Sequence, residues 1–256
     1  MTGRIAPRAP TGRPSDPVLR RLMSLTTLSD LEQALILGLG GRRERHSAGD
    51  ELLVEGDFAR RPRFVVSGWA STQRLLSDGR RQVFGFALPG DGVGVYPRMS
   101  PPAPFTVVAT TPVETVDAEP FLEAVRLGDS PGLLKAFSAA ARHEDQMLLD
   151  HIVRLGRQTA YERVAHFLLE LHDRLAAVGL AEQQRFPLPF TQEILADTLG
   201  LSIVHINRTL QQMRRDQLIE WRSGMATVLR REVLASMCDY RASGPARGAR
   251  ESRPDA

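Results

Sequence analysis

The stretch from Thr191 to Val228 constrains this chain more than any other. Thr191-Gln192-Glu193 offers a cap and an acid for a helix start, and Ile194, Leu195, Ala196 and Leu199 follow at helical spacing until Gly200. Glycine there admits the left-handed backbone of a tight helix exit, with Leu201 as the apolar plug beneath it. Ser202 then caps a second helix whose Ile206 and Leu210 face inward, leaving Ile203, Val204, His205, Asn207 and Arg208 along the exposed N-terminal part. Small Ala196 before the turn lets two helices cross closely at a wide angle. The pattern predicts a helix-turn-helix, whose second helix enters the major groove. Beyond it, Leu218-Ile219-Glu220-Trp221 and Met225-Ala226-Thr227-Val228 flank Arg222-Ser223-Gly224, a β-hairpin that would lie against neighbouring phosphates as a wing. An ordinary helical hairpin inside a core is the competing reading, and the wing weighs against it.

Charge fits this reading. The formal net charge of the 256 residues is only +3 and Lys135 is the single lysine, so arginine carries the positive charge. Between Arg185 and Arg231 seven arginines face four carboxylates, a local basic bias that suits phosphates. With 42% hydrophobic residues the chain can bury a large core, in two domains more naturally than one. The absence of a membrane-length apolar run or a secretory pattern leads to the expectation of a cytoplasmic protein without membrane partners. One cysteine, Cys238, excludes an internal disulfide or a thiolate cluster, and its apolar neighbours Val233, Leu234 and Met237 favour burial over redox sensing.

Taken in order, residues 1–17 are rich in Pro, Gly and Arg and are expected to form a disordered tail, as are residues 241–256. From Val18 to Leu39 leucines recur at helical intervals, with Ser29 as an internal cap. Between Arg45 and Val125 the apolar runs Leu52–Val54, Arg63–Val66, Gln82–Phe86 and Thr106–Ala109 alternate with Gly49-Asp50, Gly56-Asp57, Asp78-Gly79 and Gly90-Asp91. Such turns between short strands describe an antiparallel, jelly-roll-like β-roll, which can hold a small ligand or be filled by its own side chains. The sensor-type domain is therefore placed at 18–129. A long helix at 130–157 starts at Ser130 and Pro131, and Leu134, Phe137, Ala141, Glu144, Leu148, His151 and Leu155 on it form a seam for self-association, with Glu144 and His151 weakening it. A second amphipathic helix carries Val164, Phe167, Leu168, Leu171 and Leu175 and opens the C-terminal domain, 158–240.

Other chemistry is thin. His143, Met147 and His151 fall at i, i+4 and i+8, a set soft metals or haem accept, yet a seam histidine is more often satisfied by a side chain or water, so no metal or cofactor is expected. His46, His166 and His172 lack ligand spacing. No nucleophile elbow or phosphate-cradling loop with lysine is present, so an enzyme is not expected.

This order of parts resembles the Crp/Fnr family of transcription regulators. The resemblance covers roughly residues 18 to 240 and rests on Phe190–Ser202, Asn207-Arg208-Thr209-Leu210 and, in the first half, Gly49-Asp50, Gly56-Asp57, Gly68, Asp78–Gln82 and Leu88-Pro89-Gly90-Asp91. It implies an α+β chain, with an N-terminal β-roll, a dimerisation helix and a C-terminal winged helix-turn-helix, that acts as a homodimer on a palindrome in double-stranded DNA, with RNA polymerase as a further partner. The cyclic-AMP branch carries a Gly-Glu pair and then an Arg-Ser or Arg-Thr pair; here stand Gly94-Val95 and Ala103-Pro104, with Arg98 the sole guanidinium nearby. A buried cyclic phosphate would go uncompensated, and the oxygen-sensing branch's N-terminal cysteines are missing, so the effector stays unknown. Thr191, Gln192, Ser202, Ile203, Val204, His205, Asn207, Arg208 and, on the wing, Arg222 are the expected DNA contacts. Arg208 suits guanine, and Val204, replacing the family's frequent glutamate, suits a thymine methyl. The alternative is a small-molecule sensing module whose C-terminal unit binds a protein.

Overall fold

A computed structural model describes residues 16–58, 61–96 and 102–242. The expected tails before residue 16 and after residue 242, and Arg98, lie outside the described residues.

Two short helices lead in. Asp16 accepts from the Leu19 amide at the start of α1 (Pro17–Leu25), and Ser29 with Glu32 forms a reciprocal capping box at α2 (Asp30–Gly38). Eight strands follow: β1 (Arg43–His46), β2 (Glu51–Leu53), β3 (Arg63–Ser67), β4 (Ala70–Leu75), β5 (Arg81–Ala87), β6 (Gly92–Val93), β7 (Thr106–Ala109) and β8 (Val113–Asp117). They pair as two antiparallel four-stranded sheets, β1-β8-β3-β6 and β2-β7-β4-β5, which is the expected roll. β1, β4, β6 and β8 are additions to the sequence reading: Arg-Glu-Arg-His, Ala-Ser-Thr-Gln-Arg-Leu, the two-residue Gly-Val and Val-Glu-Thr-Val-Asp present too few apolar residues to stand out as runs. At the turn before β6, Gly90 has φ +99°, and a Cβ there would lie 2.7 Å from both Cβ of Arg21 and the Pro17 carbonyl. Only glycine lets α1 approach so closely.

After α3 (Glu119–Leu127) comes α4 (Pro131–Arg157), 27 residues long. Its expected cap, Ser130, makes no side-chain hydrogen bond. Glu32, a hundred residues earlier, does the work: its Oε1 accepts from the Gly132 and Leu133 amides at 2.7 and 3.1 Å while its Oε2 accepts from the Ser29 amide at 2.8 Å. One buried carboxylate thus closes the N-termini of two helices, where the free amides and the dipole favour negative charge. Burial opposes that charge, but the hydrogen bonds from Ser29, Leu133 and Gly132 hold the carboxyl below its ordinary range.

The C-terminal domain comprises α5 (Ala160–Ala177), β9 (Arg185–Pro187), α6 (Gln192–Leu199), α7 (Ile203–Arg215), β10 (Ile219–Arg222), β11 (Met225–Val228) and α8 (Arg231–Met237). The two domains share a core. Trp69, Val83, Phe86 and Leu88 of the roll belong to one apolar cluster with Phe167, Phe190, Leu195, Leu199, Ile206 and Leu210. Phe86 stacks on Phe190 with centroids 4.9 Å apart and planes 8° apart, and Trp69 meets Phe190 edge-on at 5.6 Å.

Candidate nucleic-acid interface

The Thr191 hydroxyl accepts from the Ile194 amide and starts α6. The helix leaves through Gly200, at φ 62° and ψ 38°, and the Leu201 amide donates back to Ala196 at 3.1 Å. Ser202 accepts from the His205 amide and starts α7. Ile206, Thr209, Leu210 and Met213 bury one face of α7, and Val204 stands 72% exposed on the other. Ile203, His205 and Arg208 are exposed too, Asn207 is half-buried, and no acidic residue sits in the first turn. Thr191, Ser202 and Arg222 are exposed and Gln192 is half-buried.

Along α7 the polar side chains divide into two groups. In the C-terminal half Gln212 donates to Asp216, Arg215 to Gln212, and Arg214 to the Trp221 carbonyl. In the N-terminal half the side chains of His205, Asn207 and Arg208 have no hydrogen-bond or ionic partner among the described residues. That half also carries the positive end of the helix dipole. It is a charged, unsatisfied, protruding surface, the opposite of an interior helix.

The wing is a three-stranded sheet, β10-β11-β9, not the two-stranded hairpin expected. Pro187 at the end of β9 masked the third strand, because proline is poor in ladders except at their ends. Ser223 and Gly224, at φ 51° and 72°, make the two-residue turn that carries Arg222 outward.

On α4 the expected seam divides. Ala141, Glu144 and Leu148 are exposed, whereas Phe137 packs on Phe121 at 6.2 Å, His151 is only 3% exposed, and the Leu155 side chain packs under Gly200. Leu134 of the seam is also open to solvent, and Leu149, Ile152 and Val153 are further large apolar side chains of α4 that are exposed. Apolar spacing marks every stripe of such a helix that is to be covered; it does not say by what.

His143 and His151 are two full steps of four apart, ~12 Å along a helix, so one ion cannot join them. No three metal-ligating side chains gather among the described residues. Burial, reinforced by Arg154, pulls His151 down to about 4, keeping it neutral, with neither ring nitrogen partnered. Cys238 is buried, its thiol raised to about 11 by that burial, which makes it unreactive. In the roll, Val95 packs against the apolar core and Ala103 is 3% exposed, hydrogen-bonded through its backbone to Gly56 and Asp57.

Sequence reasoning missed the residues that join the domains. Asp91 accepts from Arg174 at 2.6 Å and pairs with Arg21 at 3.4 Å, binding α1, the roll and α5 together; burial works against its charge, yet the two arginines keep its carboxyl low. Arg81 and Gln82 of β5 reach α6. Both lie in motifs quoted above, but only tertiary structure supplies their partners.

Residues 43–122 match the cyclic nucleotide-binding domain family and residues 162–237 the Crp-like helix-turn-helix domain family. The nitrogen fixation regulation protein FixK of Bradyrhizobium diazoefficiens is 36% identical over 68% of this chain and 73% of its own. The transcriptional activatory protein AadR of Rhodopseudomonas palustris is 33% identical over 68% of this chain and 72% of its own. The structure of FixK2 from Bradyrhizobium japonicum superposes with a TM-score of 0.67 at 28% identity, covering 79% of this chain and 98% of that one. With its roll, long helix and winged helix-turn-helix in the same order and these relatives on both halves, the chain belongs to the Crp/Fnr family of transcription regulators.

Proposed function

We propose that the protein works as a homodimer that reads a palindromic operator through two copies of α7, within the cytoplasm and beside RNA polymerase, and that no cyclic nucleotide switches it. The observation that carries this reading is the unsatisfied N-terminal half of α7, with Val204 and Arg208 outermost. Thr191, Gln192, Ser202, Ile203, His205, Asn207 and Arg222 flank them as the remaining contacts. The exposed apolar face of α4, Leu134, Ala141, Leu148 and Ile152 at three- and four-residue multiples, supports a partner helix of the same kind. Glu144 borders that face; Phe137, His151 and Leu155 serve the protomer's own interior instead. Dimer symmetry sets the two recognition helices for half-sites ~34 Å apart. Against a cyclic nucleotide stand Val95 and Ala103, apolar and packed where the cyclic-AMP branch holds the ribose and phosphate.

Selection from random duplex DNA followed by gel shift tests the proposal. A palindromic consensus is expected, and Arg208→Ala should abolish preference for it while leaving weak, strongly salt-dependent binding. An unenriched pool, or a consensus indifferent to Arg208→Ala, overturns it.

A further inference from the structure

Arg163, half-buried near the start of α5, directs its guanidinium at three main-chain carbonyls: Nε donates to Gln158 at 2.9 Å, Nη2 to Leu155 at 2.8 Å and Nη1 to Leu199 at 2.9 Å. Arg21, Arg81, Arg154 and Arg174 pair with carboxylates; among the described residues Arg163 has none. Its three acceptors all lie at helix ends. Leu155 is in the last turn of α4, Gln158 is the extended residue that closes that helix, and Leu199 is the last residue of α6. Carbonyls there have no partner within their helix and carry the negative end of its dipole, which suits a cation whose donors sit in a rigid planar fork. Two residues, Gln158 and Thr159, turn the chain from α4 into α5, and the Gln158 side chain donates to the Cys238 carbonyl at 3.0 Å. The Leu155 side chain closes the same corner: a Cβ on Gly200 would stand 3.2 Å from its Cδ2 and 3.7 Å from Arg163 Nη1. Only Gly200 and Leu201 separate Leu199 from Ser202, the cap of α7.

Resting on the dimeric DNA-reading function above, we propose that Arg163 is a positioning residue that clamps the end of α4 to the end of α6 and thereby fixes the one half-site spacing the dimer accepts. α4 carries the face that meets the second copy, and α7 follows directly on the clamped end of α6. With the clamp closed, the protein sets the angle of α7 to the two-fold axis before any DNA arrives. One base pair more or less between the half-sites moves the second by ~3.4 Å and turns it by ~35°, which a rigid corner does not follow. Without the clamp, the two-residue elbow between α4 and α5 is left to follow it.

The test uses the full chain and the palindrome recovered from random-pool selection, together with two duplexes in which one base pair is added or removed between the half-sites. The native protein should bind these two more weakly by roughly tenfold or more. Arg163→Gln should bind all three duplexes alike, while its affinity for a duplex with a single half-site, which engages one α7 only, stays native. If Arg163→Gln melts below the assay temperature, Arg163→Lys asks the same question: it keeps the charge but has one nitrogen for three carbonyls, and it too should lose the spacing penalty. An arginine that merely stabilises the fold gives the opposite pattern, weaker binding to every duplex, the single half-site included, with the spacing penalty intact. That pattern overturns the assignment, as does a native protein indifferent to spacing. A native protein that enriches no palindrome overturns instead the DNA reading on which the assignment rests.

Discussion

The guanidinium of Arg81, on strand β5 of the roll, lies 2.6 Å from the carboxylate of Asp197, on the first helix of the helix-turn-helix. Beside it the Gln82 amide donates to the Asp197 carbonyl at 3.0 Å and to the Thr198 carbonyl at 3.4 Å. The last turn of α6, whose carbonyls have no partners inside the helix, is therefore capped by the roll, immediately before Gly200 and α7. A double-mutant cycle of Arg81→Ala and Asp197→Ala in urea should give a coupling of about 0.5–1 kcal/mol, the scale of a partly exposed, well-oriented pair. Additive single effects would mean that the contact carries no energy.

The aromatic interlock is the stronger joint. Phe190, 7% exposed, meets Phe86, Trp69, Phe167 and Trp221. Phe190→Ala should cost about 3–5 kcal/mol, as large aromatic truncations in cores do. Because the lost contacts bridge two domains, calorimetry should show one transition in the native protein and two in the variant. A variant that still unfolds in one step shows the domains to be coupled elsewhere.

Glu32→Gln keeps the shape of the buried cap and removes its charge. The hydrogen bonds given up are to an ionised acceptor, so the expected loss at neutral pH is about 1–3 kcal/mol by urea denaturation. The sign with pH follows from the depressed carboxyl: its stabilisation is complete above the ordinary glutamate range and disappears as pH falls through the folded-state value. Native and variant curves should converge in acid. Parallel curves down to pH 3 refute the charge's role.

His151 acts in the opposite chemical sense. Held neutral down to about 4 against 6.5 for a free imidazole, it makes the unfolded chain the better proton acceptor below 6.5. Stability is full above that value and falls as pH drops towards 4, by on the order of 3 kcal/mol. His151→Leu should flatten this part of the stability profile, measured by denaturant midpoints at half-unit pH steps.

Ile152, 58% exposed on α4, offers a clean test of the proposed dimer face. Ile152→Glu should shift the sedimentation coefficient from dimer to monomer and lower operator affinity at least tenfold, with the circular dichroism spectrum unchanged. A dimer that survives this substitution uses another face.

The winged helix-turn-helix was legible in the chain because its signals are local: Thr191, Gly200, Ser202 and Gly224 each act within four residues of themselves, through caps and left-handed turns that any chain with these residues adopts. The apolar runs of β2, β3, β5 and β7 were legible for the same reason. What tertiary structure alone decided was which groups met across long separations. Glu32 replaced Ser130 as the cap of α4 because a carboxylate brought in by α2 reaches two amides, a contact no local pattern encodes. Asp91 was visible as part of a turn, and its arginines, at positions 21 and 174, were not. On α4 the periodicity of Phe137, Ala141, Leu148 and His151 stated that something covers each stripe; tertiary packing, with α3 against Phe137, determined that Phe137 and His151 turn inward and leave Ala141 and Leu148 outside. Hydrophobic spacing measures the free energy of leaving water, which is the same whether a residue is covered by its own chain or by another, and only the fold distinguishes the two.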